Sequence, residues 1–96
     1  MKISELKDGM RKVNVEGIIL EIPEPRTVTL RSGQKARVVD CILQDASGTV
    51  KLSLWDDDIS KVQLGSRVRI ENGYTNSFRG ELKLNVGKYG RLINLE

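Results

Sequence analysis

Apolar residues recur at every second position in several stretches of this chain, a period of two that predicts β-strands with one buried face. From Lys12 to Ile22, Val13, Val15 and Ile19, with Gly17 in the same phase, alternate with Lys12, Asn14, Glu16 and Ile18. Val39, Cys41 and Leu43 share one parity between Ala36 and Gln44, and Val50, Leu52 and Leu54 share one in the next stretch. Val68 and Ile70 alternate with Arg67, Arg69 and Glu71 between Ser66 and Gly73, and Leu82, Leu84 and Val86 point one way between Glu81 and Val86. Each set of aliphatics is predicted to face one core.

Turn chemistry separates these strands. Gly17 marks a bend in the first strand, and Pro23 and Pro25 end it because neither can donate a ladder hydrogen bond. Thr27–Leu30 and Ala36–Gln44 flank the polar loop Arg31-Ser32-Gly33-Gln34-Lys35, which predicts a hairpin with a basic tip. Asp45-Ala46-Ser47-Gly48 reads as a turn. Tyr74 to Gly80 reads as a polar hairpin connection carrying two aromatics, and Gly87 to Asn94 as a tail extending the last strand. Ile3 to Met10 predicts one helical turn, with Ser4 as cap and Gly9 as left-handed stop. Asp56-Asp57-Asp58-Ile59-Ser60-Lys61-Val62 predicts a short helix whose carboxylates sit at the positive end of its dipole.

Five strands, a bent first strand and a short helix between the third and fourth predict an all-β, five-stranded Greek-key OB-fold barrel. An SH3-like barrel is the main competing architecture, and the helix-sized insertion argues against it. Ninety-six residues suit one domain, 1–96, with one core. The reading leaves open that the domain is excised from a longer protein and that Leu95-Glu96 is a cloning remnant.

Composition narrows the function. Sixteen Lys and Arg against thirteen Asp and Glu give a net charge of +3, which suits a polyanionic partner without demanding one. The chain has no histidine, and no P-loop, paired-carboxylate or metal-ligand pattern. No enzyme, cofactor or small-molecule substrate is therefore expected. Three consecutive aspartates at a helix start point in different directions, so a metal cluster is not expected either. Cys41, the single cysteine, falls in phase with core aliphatics and reads as a small buried hydrophobe. No run approaches a membrane span, the N-terminus lacks the apolar stretch of a signal peptide, and one cysteine allows no internal disulfide, so a reducing, cytoplasmic setting is expected.

Trp55 is the most informative residue. It is out of phase with Leu52 and Leu54 and in phase with Lys51, which predicts an exposed aromatic beside a cation. Tyr89 is assigned to the core or the tail.

The linked motifs Asp45-Ala-Ser-Gly-Thr-Val-Lys-Leu-Ser-Leu-Trp55, Leu64-Gly65, Val68-Arg-Ile-Glu-Asn-Gly-Tyr74 and Phe78-Arg-Gly-Glu-Leu-Lys-Leu-Asn85 resemble the archaeal single-stranded-DNA-binding and replication protein A family. The resemblance covers roughly residues 12–94 and implies that Trp55, Tyr74 and Phe78 stack on bases. Tyr74 is often tryptophan in close relatives, which implies weaker stacking there. The cysteine-ligated zinc module and the long acidic or Gly-rich tail of some members are missing from this sequence.

Single-strand binders combine flat aromatics with cations that follow the phosphates. Lys51, Arg37, Arg79 and Lys83 are the expected phosphate contacts, with Arg26, Arg31 and Lys35 of the first hairpin closing over the strand as an arm. The expected partner is single-stranded DNA bound without strong sequence preference, in replication, recombination and repair, together with other OB domains. Two alternatives stand beside it: an OB domain used for protein interaction or subunit assembly, and single-stranded RNA binding.

Overall fold

The computed structural model describes residues 1–95. Glu96, half of the Leu95-Glu96 pair, lies outside the described residues. Seven strands form one sheet: β1 (Val13–Glu21), β2 (Arg26–Thr29), β3 (Lys35–Asp45), β4 (Gly48–Trp55), β5 (Arg67–Phe78), β6 (Glu81–Asn85) and β7 (Arg91–Asn94). Five of them close a ring, β1-β3-β4-β6-β5, which returns to β1 through a β1–β5 pairing. β4 and β6 run parallel, and the other ring pairs are antiparallel. This is the strand order expected of the OB fold. β2 is the outer arm of the β2–β3 hairpin, as expected.

β1 closes the ring by serving two neighbours. Residues 13–18 pair with β5, and from Ile18 onward the strand pairs with β3. At the changeover the backbones approach so closely that a Cβ on Gly17 would lie 2.6 Å from the Gln44 carbonyl oxygen. Gly17 therefore supplies close approach as well as the expected bend.

Inside the ring, Val13, Val15, Ile19, Val39, Cys41, Leu43, Leu52, Leu54, Val68, Ile70 and Leu84 are buried. The alternation read along the chain is the alternation observed. Cys41 is fully enclosed; burial, and then the charge of neighbouring Asp40, push its thiol up to about 11.

Four elements differ from expectation. The N-terminal turn is a 3₁₀ turn over Ile3–Glu5, and Ser4 lies inside it, because the Glu5 carboxylate accepts from the Lys2 N–H at 2.7 Å and starts the turn earlier. Asp56–Lys61 is a 3₁₀ helix. β5 runs on through Phe78, so the residues expected to form a connection are strand, and the turn is only Arg79-Gly80, both with positive φ. The polar run misled because Thr75 is buried for a tertiary reason: its hydroxyl donates to the Lys7 carbonyl and accepts from the Met10 N–H. Finally, residues 91–94 do not extend β6 but fold back as β7 against β5, with Val68 opposite Asn94.

Asp45 fastens the N-terminus to the ring. Its Oδ1 accepts from the N–H groups of Ser47 and Gly48 and from the Ser47 hydroxyl, and its Oδ2 accepts from the Ile3 N–H at 2.9 Å. The Ser47 hydroxyl bond and the Ile3 amide, against a small desolvation cost, hold its carboxyl below the usual 3.8. A depressed carboxylate stabilises the fold above its unfolded pKa and loses that contribution as pH falls through the folded value. Asp45→Asn is expected to flatten the loss of unfolding free energy between about pH 5 and pH 2 in urea titrations. Gly17→Ala is expected to cost about 1–3 kcal/mol in the same assay at neutral pH, because the methyl group meets backbone that cannot yield without parting β1 from β3.

Candidate nucleic-acid interface

The outward face of β3-β4-β6-β5 carries the chemistry. Strand pairing sets its side chains in rows across the sheet: Asp40, Ser53, Asn85 and Tyr74 in one, and Ile42, Lys51, Lys83 and Asn76 in the next. Trp55 stands beyond the first row, opposite Val38, and Phe78 stands beyond the second, opposite Glu81. Trp55 is 43% exposed, Tyr74 41% and Phe78 61%, all on this face. Tyr74 and Phe78, four residues apart on one strand, are separated by about 13 Å.

A bulge decides where Tyr74 points. Val13 pairs with Gly73 but Val15 pairs with Ile70, so β5 carries one extra residue opposite Asn14. Asn72 takes the left-handed conformation there, at φ 56°, and its N–H donates to Asn14 Oδ1 at 3.0 Å. Buried positions accordingly switch from Val68 and Ile70 to Gly73 and Thr75. Were β5 to keep all these residues in unbroken alternation, Tyr74 would share the phase of Ile70 and face the core. Gly87, at φ 80°, then backs the ring: a Cβ there would lie 2.9 Å from Tyr74 Cε1.

Beneath the aromatics the face has a polar floor. Asp40 accepts from the Ser53 hydroxyl at 2.7 Å and from Lys83 Nζ at 3.0 Å, and lies 3.6 Å from the Arg26 guanidinium. Burial favours its protonated form, but the Ser53 and Lys83 hydrogen bonds and the charges of Lys83 and Arg26 prevail and hold the carboxyl below its ordinary value. Asn85 Nδ2 donates to Asn76 Oδ1 at 3.2 Å. Among the described residues every fully enclosed side-chain polar atom is satisfied, so the floor is a finished piece of structure under an unfinished surface.

The expected phosphate contacts fall into two groups. Arg26, Lys51, Lys83 and Arg79 lie on or at the edge of this face. Lys51 pairs with Glu81 at 2.7 Å, and that hydrogen bond chiefly holds its ammonium above the usual lysine range. Arg79 and Lys83 approach the Phe78 ring, at 5.2 and 6.0 Å from its centroid. The face is thus less basic than its cations alone suggest. Arg31, Lys35 and Arg37 stand on the β2–β3 hairpin, and alternation turns Lys35 and Arg37 to the side away from Val38 and Trp55. None of these three makes a side-chain ion pair among the described residues.

Asp40, Ser53, Asn85 and Gly87 are site residues that the sequence reading missed. The outward phase of Asp40, Ser53 and Asn85 was visible, but nothing in the sequence marks a polar residue as floor rather than rim, and Gly87, read as the start of a tail, carried no such signal. The aspartate run has a structural use: Asp56 Oδ1 accepts from the Arg37 N–H at 2.9 Å, and Asp58 pairs with Lys61 at 3.0 Å. No cluster of three or more metal-ligating side chains occurs among the described residues. No helix among them is long and apolar enough to cross a membrane.

Residues 8–94 match the family model described as single-stranded DNA binding protein Ssb-like, OB fold. The single-stranded DNA binding protein Ssb of Saccharolobus solfataricus is 36% identical over 86 residues, covering 90% of this chain and 57% of that protein. Replication factor A of Methanothermobacter thermautotrophicus is 33% identical over 98 residues, covering 98% of this chain and 12% of that protein. The chain thus spans little more than half of the first relative and about an eighth of the second. The solution structure of a replication factor A related protein from Methanobacterium thermoautotrophicum superposes with a TM-score of 0.82 at 25% identity, over all of this chain and 90% of that one. Fold, strand order, linked motifs and family match agree, and the chain belongs to the Ssb-like family of OB-fold proteins.

Proposed function

We propose that this domain binds single-stranded DNA with little sequence preference on the outward face of β3-β4-β6-β5. Trp55, Tyr74 and Phe78 stack on bases, while Lys51, Lys83, Arg79 and Arg26 meet phosphates. The observation that carries this reading is the exposure of three aromatics on one polar face whose opposite side packs into the apolar core. Stacking is indifferent to base identity because every base has a π-face. A relative named for single-stranded DNA supports DNA over RNA.

The ion pairs shape the electrostatics of the proposal. A phosphate reaching Lys51 takes the place of Glu81, and one reaching Lys83 competes with Asp40. Arg31, Lys35 and Arg37 face no such competition; the β2–β3 hairpin acts as an arm whose tip, with Arg31, closes over a bound strand, while Lys35 and Arg37, on its other side, add to the attraction without lying on the stacking face.

Three stacks at roughly 1–3 kcal/mol each total about 3–9 kcal/mol, or millimolar to micromolar affinity before electrostatics and ordering costs. One domain binds modestly. Linked in tandem to further OB domains, it would gain affinity through effective concentration. Replication, recombination and repair, at the nucleoid in the cytoplasm, are the processes in which such a binder serves.

Titrating the protein with an oligonucleotide, its duplex and the matching RNA, while following Trp55 fluorescence, tests the reading. Strong, salt-sensitive quenching by the single DNA strand with little by duplex is expected. Absence of quenching and of binding at low salt would favour the use of the same aromatics as anchors for a protein partner. Trp55→Ala is expected to weaken binding of a labelled oligonucleotide by about 1–3 kcal/mol in anisotropy titrations, without loss of fold. Lys51→Ala is expected to lower the slope of log affinity against log salt by about 0.7 and leave base preference unaltered.

A further inference from the structure

Tyr74 divides two clefts. One, of about 250 Å³, lies between Trp55 and Tyr74 over Ser53 and Asn85, within the face already described. The other, of about 580 Å³, lies on the far side of Tyr74, where β5 meets the start of β1. Both share Tyr74, Gly87 and Lys88, so they form one continuous track past the tyrosine ring. The second cleft is lined by Arg11, Lys12 and Lys88, by Asn72, and by the rings of Tyr74 and Tyr89, with no acidic residue in its wall.

Its chemistry differs from that of the main face in one respect. There, Arg26, Lys51 and Lys83 are each paired with a carboxylate, and Arg79 alone of the four cations has no ion pair among the described residues. Here, Arg11, Lys12 and Lys88 make no ion pair among the described residues. Tyr89, assigned above to core or tail, is 80% exposed, and Lys88 Nζ stands 5.6 Å from its ring centroid. The segment that presents it is tied down, since Asn72 Nδ2 donates to the Tyr89 carbonyl at 3.3 Å. An exposed aromatic beside three uncompensated cations, on a track continuous with a stacking face, has the composition that single-strand binding requires.

We propose that this second cleft is a further nucleotide subsite: a DNA single strand stacked on Trp55 and Tyr74 continues past Tyr74 toward the start of β1. Its next base stacks on Tyr89, and Arg11, Lys12 and Lys88 hold the adjoining phosphates. The inference rests on the main face being the DNA site, and extends it in a direction opposite to Phe78. The track then crosses β4, β6, β5 and the start of β1, rather than running along β5 alone.

Oligothymidylates graded from about 4 to about 12 nucleotides, titrated against Trp55 fluorescence, separate the two readings. In the wild type, affinity is expected to rise with length as the second cleft fills. Tyr89→Ala is expected to remove about fivefold or more of the affinity for the long oligonucleotides and to leave that for the shortest unchanged, and Tyr89→Phe to restore it. Arg11→Ala with Lys12→Ala is expected to reduce the salt slope for the long oligonucleotides only. Quenching by the shortest oligonucleotide with Tyr89→Ala indistinguishable from wild type at every length would overturn the subsite and leave the main face standing. A length gain abolished by Phe78→Ala but untouched by Tyr89→Ala would direct the strand along β5 and overturn it too. Absence of Trp55 quenching at all lengths would overturn both.

Discussion

The ring closes only because β1 can leave one neighbour and join another within a residue or two. At Ile18 it pairs on one side with Arg67 of β5 and on the other with Gln44 of β3. That double duty requires backbones nearer than any side chain allows, which Gly17 satisfies by having none. Once closed, the ring has an inside, and the period-two aliphatics of five strands fill it without a polar residue that lacks a partner. The parallel β4–β6 pairing follows from the same closure, and it sets Ser53 beside Asn85 and Lys51 beside Lys83. The layout of the outward face is therefore a consequence of how the ring is sealed.

The outward face combines a satisfied polar network with aromatics left exposed. Asp40, Ser53 and Lys83 satisfy one another, and their mutual attraction keeps the carboxylate ionised against the cost of burial. The aromatics around them are left half-exposed, an arrangement that adds little to folding but presents flat apolar surface at the corners of a polar field. Cations paired with acids damp the long-range attraction of this face, whereas the β2–β3 hairpin and the cleft by Tyr89 retain unpaired charge. Unpaired charge thus lies mainly at the margins of the face, and at the cleft by Tyr89 it adjoins an exposed aromatic.

Much of this was legible along the chain. Alternation identified the five ring strands and the buried state of Cys41, and the phase of Trp55 against Leu52 and Leu54 placed it outside, because strand geometry makes parity a local property. Proline, glycine and aspartate marked the end of β1, the β2–β3 hairpin and the Asp45 turn for equally local reasons.

What only the tertiary structure decided lies where parity breaks or where a partner is distant in sequence. The extra residue at Asn72 reverses the phase of β5, so Tyr74 faces outward although Val68 and Ile70 in the same phase face in. Thr75 is buried because the N-terminal segment docks on it, and residues 91–94 fold back because β5 has an edge to pair. The pairing of Lys83 with Asp40, 43 positions away, and the convergence of Arg11, Lys12 and Tyr89 on one cleft likewise depend on ring closure. Alone, the sequence determined the aliphatic core positions, the Asp45 turn and the β2–β3 hairpin, and where one aromatic stands. Which cations remain unpaired, and which aromatics share a track, are relations between strands, and they exist only once hydrogen bonding has fixed the register of one strand against the next.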